Sequence, residues 1–316
     1  MKKTIIIIIV ILLFSSCAKN QKQINIAIIG KVNDSYWNEV KLGAESAGKE
    51  LGVNVKFYVP PKEDPAWQIR KLQEVISSPI DGVAIGASDP KTIEPTMVNI
   101  VQSNIPCITI DKDVAKARHA YIGTGNYYAG QQAGELMAET LEYNGNIAII
   151  TDPSIPDYVQ RVQGFKDIIN EHEKISVTSV VDINNNKIES LFDANNPSLN
   201  IKGIFCVSDD IGIATVKTIK KADKINQIKV ICIGESPEVI KAVKENIIQI
   251  AISRRPFRVG YSCVLVLYDM IKVGVNNTLA ILPKSEIIDP GIIIVTSSNV
   301  DEYREQLSKL GIKMRF

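Results

Sequence analysis

One apolar segment occurs twice in this chain. NIAIIG begins at Asn25 and NIAIIT at Asn146, while DGVAIG at Asp81 has a counterpart in KGIFCV at Lys202. Both pairs are 121 residues apart (146 − 25 and 202 − 81), and a third pair, PCITID and KVICIGE, falls close to the same spacing. Short apolar segments that return at a fixed offset predict two similar structural units, one after the other along the chain.

The sequence between these segments indicates what kind of unit repeats. Short runs rich in Ile and Val alternate with longer stretches of helical periodicity, a pattern typical of parallel sheets covered by helices on both faces. We therefore predict an α/β fold with two similar doubly wound parallel-sheet lobes. The predicted strands are Ile24–Ile29, Val53–Tyr58, Gly82–Ile85, Cys107–Ile110, Ile147–Ile150, Val177–Val181, Gly203–Val207, Val230–Ile233 and Ile248–Ser253. The clearest helical stretches are Tyr36–Leu51, Ala66–Ser77, Ala129–Leu141 and Ile211–Lys221.

The N-terminal residues follow a different pattern. A short basic start precedes the uninterrupted apolar run Ile5–Phe14, which is shorter than the roughly 20 residues of a membrane-spanning helix. Such a run is typical of a secretory signal. The small residues before Cys17 resemble the bacterial lipoprotein signal, in which the cysteine carries the lipid. We predict a signal peptide at 1–16 and a lipidated tether at 17–23, with ordinary secretion and nearby cleavage as the alternative.

Composition argues against several functional classes. A formal net charge of +1 gives no electrostatic basis for binding nucleic acid. Two histidines, with no CxxC motif and no Cys/His cluster, give no basis for a metal site, and we expect no cofactor. Gly30 is followed by KVNDSYW rather than by the glycine-rich turn of dinucleotide-binding enzymes. We therefore expect a binding protein and not an enzyme.

Two acidic residues follow matching strands of the repeat. Asp111 ends a strand in the first half, and Glu235 ends its counterpart in the second. Because ligands of open α/β sheets bind beyond the carboxyl ends of the strands, two facing lobes bring both acids to one cleft. Helix capping is the alternative for each.

Eight segments in a fixed order carry a resemblance to a known family. They are GKVNDSYWNEVKLGAE, DGVAIGASDP, IPCITIDKD, YIGTGNYYAGQQAGELM, QRVQGF, GIFCVSDD, IGESPEVI and RRPFRVGY. Together they resemble periplasmic sugar-binding proteins of the ribose-binding type, over nearly the whole chain after the signal. The resemblance implies a type I periplasmic binding fold, whose lobes close around a ligand by a hinge motion.

The resemblance also implies how the chain divides between the lobes. The first lobe is expected at 24–123 plus 255–284, and the second at 126–252 plus 290–316. Three strands are expected to cross between the lobes and form the hinge, near Thr124–Asn126, Ser253–Arg254 and Pro283–Pro290.

In the first lobe, the resemblance implies ligand contacts from residues that follow strands. Asp34, Tyr36 and Trp37 lie on the first strand-to-helix loop, where two aromatic rings can stack on a sugar face. A helix cap followed by two core aromatics is the alternative. Asp111 matches a hydroxyl-binding aspartate of the family. Gly86 stands where some members place an amide, which predicts either a lost contact or room for a larger ligand.

In the second lobe, Arg161 matches a family arginine that reaches the ligand, and a solvated helix arginine is the alternative. Ser208 and Asp209 stand where Asn-Asp is usual, and Asp209 as a cap of the following helix is the alternative. Glu235 replaces the usual aspartate and reaches one methylene further.

Arg254 is the largest departure from the family pattern, which commonly has glutamine there. A guanidinium carries a fixed charge and accepts no hydrogen bond. It can serve as a counter-ion to Asp111 and Glu235, or it can pair with an anionic group on the ligand, and both interpretations stay open. Arg255 is expected at the surface or the hinge.

These expectations combine into one functional hypothesis. The chain is predicted to be an exported, lipid-anchored, monomeric solute-binding protein. It is predicted to capture a monosaccharide or related polyol between its lobes and to deliver that ligand to the membrane permease of an ABC transporter. The alternative is a ligand-sensing protein that serves a chemoreceptor or a two-component sensor through the same cleft.

Overall fold

The computed structural model describes residues 23–185, 188–192, 200–314 and 316. The predicted signal peptide, the lipidation site at Cys17 and the tether up to residue 22 lie outside the described residues. In the part of the chain that is described, no helix combines the length and the apolar character needed to cross a membrane.

The described residues form strands and helices in close alternation, as the repeat predicts. The strands are β1 (Asn25–Ile29), β2 (Asn54–Tyr58), β3 (Gly82–Ile85), β4 (Cys107–Ile110), β5 (Ala120–Ile122), β6 (Gly145–Thr151), β7 (Ile175–Asp182), β8 (Ile201–Cys206), β9 (Lys229–Ile233), β10 (Ile250–Ser253), β11 (Ile287–Ile288) and β12 (Ile293–Thr296). The α-helices are α1 (Ser35–Leu51), α2 (Pro65–Ile76), α3 (Pro90–Gln102), α4 (Asn126–Thr140), α5 (Pro156–Ile169), α6 (Asp209–Lys221), α7 (Pro237–Lys244), α8 (Pro256–Val273), α9 (Val275–Ile281) and α10 (Val300–Lys309). Short 3-10 turns lie at Ala115–Ala117 and Ile188–Phe192.

The strands form two sheets of the same design. The first has the order β11-β5-β4-β3-β1-β2 and the second β12-β10-β9-β8-β6-β7. Helices cover both faces, and the central strands are buried along almost their whole length. This explains their continuous apolar sequence, since a strand covered on both sides has no solvent face to make polar. The predicted α/β fold with two parallel-sheet lobes is confirmed.

One edge of the second sheet departs from the prediction. Strand β12 pairs with β10 in the antiparallel direction, although every predicted strand was assigned to a parallel sheet. The chain enters β12 directly from β11, with no crossover helix between them. Strand β11 runs parallel to β5 and therefore ends at the carboxyl edge of the first sheet. From there the chain enters the second sheet at the carboxyl ends of its strands, so β12 runs antiparallel to β10.

Each lobe contains one close pair of helices. Helix α1 packs along α8 in the first lobe, and α4 packs along α5 in the second. A β-carbon on Gly43 of α1 would overlap the carbonyl oxygen of Phe257, and one on Gly164 of α5 would overlap that of Tyr127. The two glycines are separated by 121 residues (164 − 43), the offset of the strand repeat. The duplication therefore extends to the helix contacts.

The chain passes between the two sheets at three places: from β5 to α4, from β10 to α8 and from β11 to β12. The lobe boundaries and hinge crossings expected from the sequence stay predictions. Strand β11, at Ile287–Ile288, pairs with β5 of the first sheet. The three connections run side by side and bring the carboxyl ends of both sheets to one cleft.

Candidate functional site

A cavity of about 570 Å³ lies in the cleft between the two lobes. Loops that follow β1 and β4 line one side, and loops and helix starts that follow β6, β8 and β9 line the other. Of the nine ligand-binding residues predicted from the sequence, eight line it: Asp34, Tyr36, Trp37, Asp111, Arg161, Ser208, Asp209 and Arg254. Their role in binding stays a prediction, but the sequence placed them in one cleft.

Glu235 is the exception among the predicted residues. It is only 2% exposed and lies outside the cavity lining, behind Arg254. Glu235 Oε1 lies 2.5 Å from Arg254 Nη2, while Oε2 accepts from the Arg254 backbone N–H at 2.9 Å and from Nε at 3.4 Å. Arg254 takes up both carboxylate oxygens of Glu235 in this structure, and a ligand contact by Glu235 stays a prediction.

Arg254 therefore acts as a counter-ion at its inner edge and faces the cavity at its outer edge. Its guanidinium lies 3.9 Å from Asp111 and 3.8 Å from Asp209, and its carbon lies 4.6 Å from the centre of the Tyr36 ring. Burial lowers the pKa of Arg254, but the surrounding negative charges, Glu235 foremost, raise it well above its usual value. The arginine stays charged throughout the accessible pH range.

A second ion pair lies across the cavity from Arg161. Lys31 Nζ is 2.5 Å from Asp111 Oδ2, and each side chain is 14% exposed. Although burial alone would raise the pKa of Asp111, Lys31 and then Arg254 lower it to about 2. Asp111 also has a left-handed backbone (φ 64°), which turns the chain sharply after β4. The carboxylate is thus fixed in its ionised form as an acceptor.

The three residues of the first loop have separate roles in the structure. Asp34 caps α1, because its carboxylate accepts from the Trp37 backbone N–H at 2.8 Å. Trp37 is packed in the core at 1% exposure, and its ring fills the space that a side chain at Gly86 would need. Trp37 therefore borders the cavity without presenting an open ring face, and Tyr36 is the aromatic beside the polar groups.

Arg161 is held rigidly at the second-lobe side of the cavity. It is 3% exposed; its Nε donates to Asn126 Oδ1 at 2.8 Å and its Nη1 donates to the Val207 carbonyl at 2.7 Å. Its guanidinium carbon also lies 5.3 Å from the centre of the Tyr158 ring. The alternative of a solvated helix arginine is wrong, since the side chain is buried and directed by three neighbours.

Ser208 and Asp209 begin α6 at the same side. Ser208 is the N-cap of α6, and its hydroxyl makes no capping hydrogen bond. Asp209 Oδ1 accepts from the backbone N–H groups of Glu235 and Ser236, at 2.9 and 2.7 Å. Asp209 therefore stabilises the residues that begin α7 rather than capping its own helix. Burial and the neighbouring Glu235 raise the pKa of Asp209 to about 6, against the opposing effect of Arg254.

The fold and the cleft are shared with known proteins. Residues 26–274 match the model of the periplasmic binding protein domain. The chain belongs to this family. The resemblance drawn from the eight segments is confirmed, and so is the prediction that the chain is a binding protein rather than an enzyme.

Three comparisons show the range of similarity of this periplasmic binding protein. The D-allose-binding periplasmic protein of Escherichia coli (strain K12) is 21% identical over 283 residues, which cover 85% of this chain and 90% of the relative. The solved sugar-binding protein of a sugar ABC transporter from Bacillus halodurans has a TM-score of 0.81 and 27% identity, covering 89% of this chain and 100% of that one. The XylFII–LytSN complex contains a chain with a TM-score of 0.71 and 23% identity, and the match covers 88% of this chain and 99% of that one.

The charge balance of the cleft constrains what this periplasmic binding protein can hold. Six carboxyl residues line the cavity, against three cations. The cations are already neighboured by acids or buried carbonyls, as Arg254 and Lys31 show. Among the described residues no group of His, Cys, Asp and Glu side chains is suited to a metal ion. The arrangement offers fixed donors and acceptors around Tyr36, which suits a neutral ligand with many hydroxyl groups.

Among the lining residues that sequence reasoning missed are Lys31 and Tyr158. Lys31 directly follows the first glycine after β1, a position where ligand contacts are expected in an open α/β sheet, so its position was the available signal. Tyr158 lies 121 residues after Trp37 (158 − 37), so the repeat offset marks both aromatics as equivalent positions of the two lobes.

Proposed function

We propose that this protein captures a neutral monosaccharide or a closely related polyol between its lobes and delivers it to the permease of an ABC transporter. The observation that carries the proposal is the cleft itself, in which fixed carboxylates and guanidiniums surround the ring of Tyr36. Hydroxyls both donate and accept, so they satisfy such paired groups, and an unpaired buried group would cost about 1–3 kcal/mol. The names of the relatives agree, since they bind allose or serve sugar transporters.

The excess of carboxyl groups supports a neutral ligand over an anionic one. A sugar acid or sugar phosphate would bring further negative charge beside Asp111 and Asp209, while Arg254 is already paired with Glu235. We therefore favour the counter-ion role for Arg254, in place of a direct pairing with a charged ligand.

A thermal-shift screen tests this proposal. The chain from Gln23 onward retains every described strand and helix, and its thermal transition is measured with aldoses, ketoses, polyols, uronic acids and sugar phosphates, because ligands of the folded state raise the midpoint. We expect one neutral sugar or polyol to raise it, and Asp111→Asn to abolish the shift. Asp269→Asn, at an exposed position of α8, is the matched control. A response confined to the charged sugars, or to none of the compounds, would refute the assignment.

We propose further that the protein is exported and anchored to the membrane by a lipid on Cys17, with residues 17–23 as a tether and the folded part acting as a monomer. The sequence pattern before Cys17 supports this. Labelling cells with a radioactive fatty acid should mark the protein, and Cys17→Ser should abolish the label and release the protein from membranes. Size-exclusion chromatography of the tether-free chain tests the monomeric state. A Cys17→Ser protein that stays processed and membrane-bound would contradict the anchor.

A second candidate is a sensory role through the same cleft. The similar fold of the chain in the XylFII–LytSN complex supports it, because a binding protein of this shape is found there with another protein. Affinity purification from membranes, with and without the sugar identified above, separates the two. Recovery of permease subunits supports transport, whereas recovery of a receptor or sensor kinase alone supports sensing.

A further inference from the structure

A second cavity lies beside the crossing from β10 to α8, separate from the sugar cleft. It has a volume of about 400 Å³. Residues of α1 and α8 from the first lobe and of β12 and α10 from the second line it. Ser253, Arg255 and Pro256 border this cavity while Arg254 lines the cleft, so the crossing strand separates the two spaces.

The walls of this hinge cavity are largely apolar. Phe257 and Tyr261 of α8 form one wall with their rings nearly parallel, at 19° and 6.3 Å between centres. Leu307 of α10 and Leu310, which follows that helix, also line the cavity. Such a surface suits the flat or branched apolar body of a small molecule.

A buried acid lines the same cavity. Glu39 is 5% exposed, and its Oε2 has no hydrogen-bond partner among the described residues. Burial, followed by the charges of Glu235 and Asp209, raises its pKa to about 8, while Arg254 opposes that rise. Glu39 is therefore a neutral carboxylic acid at pH 7. An unsatisfied buried polar atom is costly. A hydrogen bond from an occupant of the cavity to Oε2 would remove that cost.

Two arginines, Arg255 and Arg258, border the cavity. Arg255 has a left-handed backbone (φ 56°), and its carbonyl accepts from the Arg258 backbone N–H at 2.9 Å, so the two side chains start within one helical turn. Burial and then the charge of Arg258 lower the pKa of Arg255. None of the ion pairs among the described residues involves Arg255 or Arg258. Adjacent unpaired guanidiniums form a ready site for a carboxylate.

We propose that the hinge cavity is a second binding site, for a small amphipathic carboxylate with an aromatic body. Its carboxylate pairs with Arg255 and Arg258, its ring packs against Phe257 and Tyr261, and a polar atom of the ligand hydrogen-bonds the free oxygen of Glu39. The charged and titratable side chains that line the cavity are these two arginines, Glu39, Tyr261 and Tyr303. Tyr303 donates to Ser253, so its hydroxyl is already engaged.

Three probes with the same body and different head groups test the assignment. They are 3-(4-hydroxyphenyl)propanoate, the matching amine tyramine and the matching alcohol tyrosol. Isothermal titration of the chain from Gln23 onward, after its cooperative thermal transition has been verified, should show saturable binding of the carboxylate at least about tenfold tighter than of either analogue. Tighter binding of tyramine would overturn the proposal, since it would assign the site to Glu39 acting as an anion. Absence of carboxylate binding up to about 10 mM would also overturn it.

Variants separate this site from the sugar cleft. Arg258→Gln, at an exposed position of α8, should weaken binding of the carboxylate probe about tenfold, and Glu39→Gln should weaken it less, because an amide can still hydrogen-bond the ligand. Asp111→Asn should leave the probe affinity unchanged, whatever it does to sugar binding. An unchanged affinity in Arg258→Gln, or a loss in Asp111→Asn, would refute the hinge cavity as the binding site. Failure of the sugar screen alone would leave this result standing.

Discussion

The pairing of Arg254 with Glu235 makes a prediction about stability that requires no knowledge of the ligand. If Arg254 is a counter-ion, removing its charge leaves a carboxylate at 2% exposure without the guanidinium that lies 2.5 Å away. The backbone N–H of residue 254 still donates to it at 2.9 Å. Arg254→Gln should therefore destabilise the empty protein, and the additional change Glu235→Gln should recover part of the loss.

The expected loss in the free energy of unfolding follows from how deeply the ion pair is buried. Breaking a fully buried ion pair from one side costs about 3–5 kcal/mol, but the Arg254 side chain is 17% exposed and water can partly replace it. We expect a loss of about 2–4 kcal/mol for Arg254→Gln. Glu235→Gln should cost less, because Asp111 and Asp209 remain within 3.9 and 3.8 Å of the arginine. The coupling energy from the double-mutant cycle should be about 1–3 kcal/mol.

Urea denaturation of the four proteins measures these values, with the change in midpoint at constant slope reporting stability. The surface pair Lys309–Glu305, at 2.8 Å and with side chains 71% and 66% exposed, is the matched control and should couple only weakly. Additive effects at Arg254 and Glu235, or an Arg254→Gln protein as stable as the parent, would refute the counter-ion interpretation. The arginine would then be free to serve the ligand.

Three further predictions concern other parts of the molecule. Gly164→Ala should lower the free energy of unfolding by about 1–3 kcal/mol or more in urea titrations, because its β-carbon would overlap the Tyr127 carbonyl oxygen; a neutral effect would contradict the close helix contact. Glu39 has a native pKa near 8 against an ordinary value of 4.5, so the folded state retains a proton that the unfolded chain releases. Stability should fall as pH rises between these values, and Glu39→Gln should remove a fall of at most about 5 kcal/mol; parallel pH profiles of stability would disprove it. Lys31→Met should raise the pKa of Asp111 from about 2 by removing its closest cation, as followed by carboxyl-carbon NMR; an unchanged titration would show that Lys31 is not the cause.

The fold was largely predictable because strands that are buried on both faces have continuous apolar sequences. All nine predicted strands exist, with ends within two residues of those observed. The prediction missed β5 and β11, which have three and two residues and carry too little sequence for a pattern. It also missed β12, whose antiparallel direction depends on the short connection from β11 and not on its own residues.

The candidate site was predictable in position but not in pairing. Asp111 and Arg161 could be placed because strand ends and family motifs fix the backbone there. The partner of Arg254 could not, since the choice between ligand and counter-ion depends on the direction of the Glu235 side chain, which no sequence pattern specifies. Glu39 gave no signal at all: on an amphipathic helix it looks like any surface acid, and only the packing of α1 against α8 buries it.

The two equivalent helix pairs imply an order of assembly. In the second lobe α4 and α5 are neighbours along the chain, so their contact at Gly164 can form as soon as residue 169 has been synthesised. In the first lobe the partner of α1 is α8, which begins at residue 256. The surface of α1 around Gly43 therefore stays uncovered while more than 200 residues follow it. A chain that is exported unfolded would expose that surface longest, which makes it the natural place for a chaperone to bind and for premature aggregation to begin.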